Sequence, residues 1–152
     1  MSKDVLIIMG STSDKPVMAP AEKILDDFAV PYETIVSSAH RNPERTRDIA
    51  ARAIDQGFQV IIAGAGYAAH LAGVIASETT LPVIGVPIAS SPLKGIDSLY
   101  STVQMPSGIP VACMGIGESG AKNAALFAIE ILALGNEGYR KKLDEMRAQW
   151  NA

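Results

Sequence analysis

Five short apolar runs, each followed by a stretch of helical period, restrict this chain to an alternating α/β architecture. The runs lie at Val5 to Met9, Tyr32 to Val36, Val60 to Ala63, Val83 to Val86 and Val111 to Met114. Four of them are continuous apolar blocks, the pattern of strands covered on both faces. Between them apolar residues recur at helical spacing: Val17, Ala21, Ile24, Leu25 and Phe28; Thr46, Ile49, Ala50, Ala53 and Ile54; Ala69 to Glu78; Ala121 to Leu134. Repeated β-α units imply a parallel sheet with helices on both faces. The expected fold is a flavodoxin-like three-layer sandwich, a five-stranded parallel sheet of order 2-1-3-4-5 with an extra C-terminal helix. Lys94 to Met105 reads as a short helix or an ordered loop at the site.

A length of 152 residues with 48% hydrophobic content suffices for one buried domain, residues 1–152, and is short for two. The net charge of -3, with thirteen Lys and Arg scattered outside Arg140-Lys141-Lys142, argues against a nucleic-acid partner. A single cysteine, Cys113, excludes an internal disulfide framework, and Met1-Ser2-Lys3-Asp4 runs into a strand without the apolar core of a signal peptide. A cytoplasmic location is therefore expected. Val60 to Ala76 has the hydropathy of a membrane span, but Gly64, Gly66, Gly73 and His70 favour a buried strand-loop-helix, and no membrane partner is expected. In the tail, Tyr139, Leu143, Met146 and Trp150 form a narrow apolar stripe on a charged helix of about 137–151. That stripe needs a surface, either its own domain or a neighbouring subunit, and docking on a neighbouring subunit is expected. The abundance of Gly and Ala favours close helix contacts between subunits and hence a homo-oligomer.

Two segments carry most of the chemistry, and both sit where a strand would run out into a helix, the place where open α/β sheets bind ligands. In the first, Gly10 permits a tight turn, while Ser11, Thr12 and Ser13 offer hydroxyls and backbone N–H groups at a helix start, a position suited to phosphate. Asp14 is placed to accept from ribose hydroxyls. Ser13 or Asp14 also fits as a plain N-cap before Lys15-Pro16, and capping and binding are compatible. In the second, Ser38 to Pro43, Asn42 is expected to cap the helix opened by Pro43, which leaves His40 and Arg41 unexplained by packing. Histidine can give and take one proton within a turnover, and arginine forks onto phosphate or carboxylate.

A third segment, Ala63 to Gly73, has the same topological position after strand three. Its small residues allow backbone to approach a flat ligand, and its apolar lining would desolvate a carboxylate. Gly64, Gly66 and Ala69 match a dinucleotide fingerprint, and Gly115-Ile116-Gly117-Glu118-Ser119-Gly120 matches it better. Neither is followed by the acidic residue that would hold a ribose at the end of the next strand, so a nicotinamide cofactor is not expected. A phosphoreceiver would need an Asp where Ala63-Gly64 stands. A flavin site would need more aromatic residues than Tyr67 and Tyr100 supply. His40, His70 and Asp14 lack the spacing of metal ligands, and no metal is expected. Cys113 lies in an apolar run, where burial is favoured over nucleophilic duty, and His70 fits either a ligand contact or a loop-fixing hydrogen bond.

Gly10-Ser11-x-Ser13-Asp14, Ser37-Ser38-Ala39-His40-Arg41, Ala63-Gly64-Ala65-Gly66-x-Ala68-Ala69-His70-Leu71, Asp97-Ser98-Leu99-Tyr100-Ser101 with Val103-Gln104-Met105-Pro106, and Asn123-Ala124-Ala125-Leu126 together resemble the N5-carboxyaminoimidazole ribonucleotide mutase family, the PurE type of purine biosynthesis. The match runs in order over nearly the whole chain. The resemblance implies a cofactor-free isomerase that moves a carboxyl group from the exocyclic nitrogen of an aminoimidazole ribonucleotide to ring carbon C4. It implies His40 as the proton shuttle, Ser11, Ser13, Ser38 and Arg41 on the phosphate, and Asp14 on the ribose. Ala65, Gly66, Ala69, His70 and Leu71 belong to the loop that covers the base and retains CO2. It further implies a homo-octamer with sites at subunit contacts. Two departures stand out: the family commonly has Gly where this chain has Tyr67, and Pro where it has Ala72. A direct carboxylase using CO2 is the alternative activity, and a non-catalytic phosphosugar-binding relative the remaining one.

Overall fold

The computed structural model describes residues 3–151. Strands β1 (Val5–Met9), β2 (Tyr32–Val36), β3 (Val60–Gly66), β4 (Val83–Ile88) and β5 (Ala112–Cys113) form one parallel sheet in the order β2-β1-β3-β4-β5. The helices are α1 (Lys15–Asp27), α2 (Pro43–Arg52), α3 (Leu71–Glu78), α4 (Ile96–Val103), α5 (Glu118–Leu132) and α6 (Glu137–Ala148). This is the flavodoxin-like sandwich expected from the alternation of runs. Strand side chains alternate between faces, so β1 splits the core in two. Val5, Ile7 and Met9 join Met18 and Leu25 of α1 and Ile129 of α5, whereas Leu6 and Ile8 join Ala50 of α2 and Leu71 and Ile75 of α3.

The bounds of β3 and β5 differ from expectation, each for a local reason, while Lys94 to Met105 takes one of its two expected forms. β3 continues through Gly64-Ala65-Gly66, pairing Gly66 with Ile88, where the glycines suggested a loop. These glycines admit neighbours: a Cβ on Gly64 would lie 2.5 Å from Met18 Sδ, so α1 closes directly onto the strand. β5 shrinks to Ala112–Cys113 and is only half-buried, because it is an edge strand preceded by Pro110. Lys94 to Met105 resolves into α4, entered through two left-handed residues, Lys94 (φ 56°) and Gly95 (φ 91°).

The tail helix α6 lies against α5 and returns to the core of its own chain. Leu143 is buried, Tyr139 and Met146 pack on the same cluster, and the Tyr139 hydroxyl donates to Asp4 Oδ2 at 3.4 Å. Trp150, the last residue of the stripe, remains 71% exposed.

Candidate active site

The order 2-1-3-4-5 reverses direction at β1, and ligands of such sheets bind at the carboxyl ends of the strands beside that point. There β1 ends in Gly10 and a 3-10 turn, Thr12–Asp14, closed as a capping box. Ser11 Oγ accepts from the Ser13 backbone N–H (3.3 Å) and from the Ser13 hydroxyl (2.9 Å), while Asp14 Oδ2 accepts from the Ser11 N–H (3.1 Å). Ser11 is therefore the cap of this turn, and Asp14, at the N-cap position of α1, makes no side-chain cap bond there. The amide groups of Ser11 and Ser13 are already satisfied within the loop. What the turn offers a ligand is mainly hydroxyl and carboxylate. Burial raises the Asp14 carboxyl above its usual value, opposed by the bond from the Ser11 N–H.

The β2-α2 loop is anchored beneath by buried polar contacts. Ser37 Oγ and Thr46 Oγ1 lie 2.8 Å apart, and Thr46 also donates to the Asn42 carbonyl at 3.0 Å. Asn42 occupies the N-cap position of α2, but its side chain makes no cap hydrogen bond; Thr46 ties the turn instead. Ser38 Oγ accepts the Arg41 backbone N–H at 3.2 Å, which fixes the loop so that His40 and Arg41 stand exposed at its crest. The Arg41 guanidinium has no hydrogen-bond or ion-pair partner among the described residues and faces the cavity free for an anion.

His40 Nε2 lies 2.7 Å from His70 Nδ1, with the rings nearly perpendicular at 79° and centroids 4.8 Å apart. One nitrogen donates and the other accepts, so the pair leaves His40 Nδ1 and His70 Nε2 for a ligand. His70 enters from the β3-α3 loop, where its N–H donates to the Ala68 carbonyl at 2.8 Å before α3 begins. Among the described residues no group of three or more His, Cys, Asp and Glu side chains is placed to hold a metal.

These loops enclose one cavity of about 510 Å³. Ser11, Ser13 and Asp14, then Ser38, His40 and Arg41, then Ala65, Gly66, Ala69, His70 and Leu71 all line it, so the residues expected to act on or hold the substrate stand around one cavity, while Thr12 of the same turn is not among its lining. Ala69 and Leu71 are almost wholly buried and form its apolar floor. Ser90, just past β4, also lines it and was missed; its only signal was its place at a strand's carboxyl end. A larger cavity, about 840 Å³, opens beside the start of β4. It is lined by Ile54, Leu81, Pro82, Ile109, Phe127 and Ile131 among others and lacks paired proton-transfer groups, so the smaller one is the candidate active site.

A parallel sheet with a free guanidinium, a histidine pair and a hydroxyl loop at its switch point defines an α/β domain built to bind an anionic metabolite and move a proton on it. The AIR carboxylase family model matches residues 4–152, and the chain belongs to that family. The N5-carboxyaminoimidazole ribonucleotide mutase of Pyrococcus abyssi is 59% identical over 141 residues, 93% of this chain and 80% of that protein. The phosphoribosylaminoimidazole carboxylase of Candida glabrata is 51% identical over 139 residues, 91% of this chain but 24% of that protein. A crystal structure of Treponema denticola PurE superposes with a TM-score of 0.82 at 31% identity, covering 95% of this chain and 91% of that one.

Proposed function

We propose that this chain converts N5-carboxyaminoimidazole ribonucleotide to 4-carboxyaminoimidazole ribonucleotide in purine biosynthesis. The observation that carries the reading is the His40-His70 contact beside the free Arg41 guanidinium in one small cavity. His40 protonates the carbamate nitrogen; the N–C bond breaks and CO2 is released. C4 of the electron-rich aminoimidazole then captures that CO2, and the C4 proton passes to His40, restoring its starting state. Atoms and charge balance without a cofactor. Arg41, Ser11, Ser13 and Ser38 hold the phosphate, Asp14 the ribose hydroxyls, and the floor of Ala65, Gly66, Ala69 and Leu71 keeps the base and CO2 in register, with His70 holding the His40 ring.

A direct carboxylase is the second reading, suggested by the name of one relative, the phosphoribosylaminoimidazole carboxylase of Candida glabrata, of which this chain matches 24%. The test is to offer purified protein either the N5-carboxylated ribonucleotide or the uncarboxylated one with bicarbonate and score the C4 carboxylate. Fast conversion of the first alone supports the mutase; efficient use of the second moves the chain to the carboxylase activity; no product from either leaves only a binding module.

The same reading includes a homo-octamer in the cytoplasm. In its support, α4 presents Ile96, Tyr100 and Val103 to solvent at helical spacing, with Leu93 beside them. Trp150 extends the tail stripe beyond the part covered by its own chain, where a neighbouring subunit would complete it. No helix among the described residues is long and apolar enough to cross a membrane.

A further inference from the structure

The loop crest that carries His40 and Arg41, Ser38 to Asn42, joins the end of β2 to the start of α2. Two polar side chains close its base away from water: Ser37, 2% exposed, and Thr46, wholly buried. Their hydroxyl oxygens lie 2.8 Å apart, and Thr46 Oγ1 also lies 3.0 Å from the Asn42 carbonyl oxygen. A carbonyl only accepts and a threonine hydroxyl carries one proton, so Thr46 gives that proton to Asn42 and Ser37 is the donor to Thr46. The bonds form a directed chain, Ser37 O–H to Thr46 Oγ1 and Thr46 O–H to the Asn42 carbonyl, joining the two ends of the crest. The Ser37 backbone is itself held, its N–H donating to the Met9 carbonyl of β1 at 2.9 Å. The Asn42 carbonyl has a second donor in the Thr46 backbone N–H at 3.1 Å. Ser37 has no such reserve, since among the described residues its hydroxyl bonds to Thr46 alone. A hydroxyl orphaned in a dry site costs more than its hydrogen bond contributes, so without Thr46 Oγ1 the base of the crest must move to find Ser37 a partner. The other tie at this base, from the Arg45 guanidinium to the Val36 carbonyl at 2.6 Å, is exposed, where water competes for both groups.

We propose that Ser37 and Thr46 are positioning residues for His40: their hydroxyl chain sets where the imidazole stands without touching the ligand. Neither residue lines the cavity, so neither acts on the substrate directly. The inference rests on the mutase reading above. In that reaction one imidazole gives a proton to the carbamate nitrogen and later takes one from C4, so a single placement of the ring has to serve two different atoms. A displacement of about 1 Å at such a group can cost about 10²-fold in rate. The His40 ring is exposed and is held from outside its own crest by His70 alone, so the base of the crest governs the rest of its position.

The test compares Thr46→Val, which keeps the shape and loses the hydroxyl, with Thr46→Ser, which keeps the hydroxyl, assayed on N5-carboxyaminoimidazole ribonucleotide well below each unfolding midpoint. Thr46→Val is expected to lower kcat by about 10-fold while KM stays within about two-fold, and Thr46→Ser to recover most of the loss. Ser37→Ala combined with Thr46→Val is expected to fall no further than Thr46→Val alone, because links of one chain do not add. The protein has two histidines, so 13C-histidine labelling reads the His40 ring directly by NMR. Its resonance is expected to shift in Thr46→Val and to return in Thr46→Ser. A kcat for Thr46→Val equal to wild type, or a loss that Thr46→Ser does not recover, overturns the positioning role and leaves the mutase reading intact. If wild type makes no C4 carboxylate, the mutase reading fails and the NMR arm alone decides: an unmoved His40 resonance in Thr46→Val overturns the positioning role.

Discussion

His40 and Arg41 are neighbours in sequence with separable duties, and single substitutions should divide them. His40→Asn should retain ribonucleotide binding and lose turnover by about 10²- to 10⁴-fold, the range of a lost general acid-base group. Retained turnover would remove His40 from the mechanism. Arg41→Met should weaken ribonucleotide binding by about 1.5 to 3 kcal/mol, the worth of a charge-assisted hydrogen bond, read by titration calorimetry. Asp14 yields a pH prediction. Its carboxyl is raised above 3.8 in the folded protein, chiefly by burial, so across the interval from 3.8 up to the folded value the native state binds more protons than the unfolded one. Stability from this group is therefore greatest at acid pH and falls as pH rises through that interval. Asp14→Asn should gain stability relative to wild type between acid and neutral pH in denaturant titrations; a constant difference would contradict this. The hydroxyl-rich turn was legible because capping chemistry is local and its residues are contiguous. The His40-His70 pair was not, because thirty positions separate its members and only the flanking of β1 by β2 and β3 joins them.

Helix ends show the same physics with two different residues. α1 ends in a Schellman arrangement, Val30 N–H to Leu25 O with Ala29 N–H to Asp26 O, and the turn that follows α2 closes in the same way, Phe58 N–H to Ala53 O with Gly57 N–H to Ile54 O. The left-handed position is Gly57 (φ 91°) in one and Ala29 (φ 56°) in the other. Ala29 is exposed, so Ala29→Gly should stabilise the protein by about 1 kcal/mol, while Gly57→Ala should destabilise it by a similar amount. Thermal unfolding of the two variants in opposite directions is the expected result. The Gly115 to Gly120 segment resembles a dinucleotide loop for a related reason. A Cβ on Gly120 would lie 1.6 Å from the Gly115 carbonyl oxygen, so this glycine lets α5 start hard against the preceding turn. Ala72, where the family commonly has Pro, lies in the first turn of α3, where a proline fits without loss of a helical hydrogen bond.

Across the whole molecule, the exposed apolar face of α4 is the feature a lone chain leaves unresolved. If copies assemble through it, Tyr100→Arg should lower the mass measured by sedimentation equilibrium without altering secondary structure, since Tyr100 is 63% exposed. An unchanged mass would place the contact elsewhere. The five apolar runs and the helical periods between them were enough to determine a parallel sandwich and its strand order, because burial on two faces and crossover handedness leave few arrangements open. The local segments at strand ends were enough to nominate the cavity, because open sheets expose their carboxyl ends at the switch point. The sequence alone did not determine that β3 runs on through its glycines, that Ser90 joins the wall, or that Tyr67 stands exposed with a left-handed backbone, φ 55°. Those were decided by tertiary structure, since each depends on which backbone or side chain from a distant part of the chain comes within a few ångströms, and pattern along the chain carries no record of that distance.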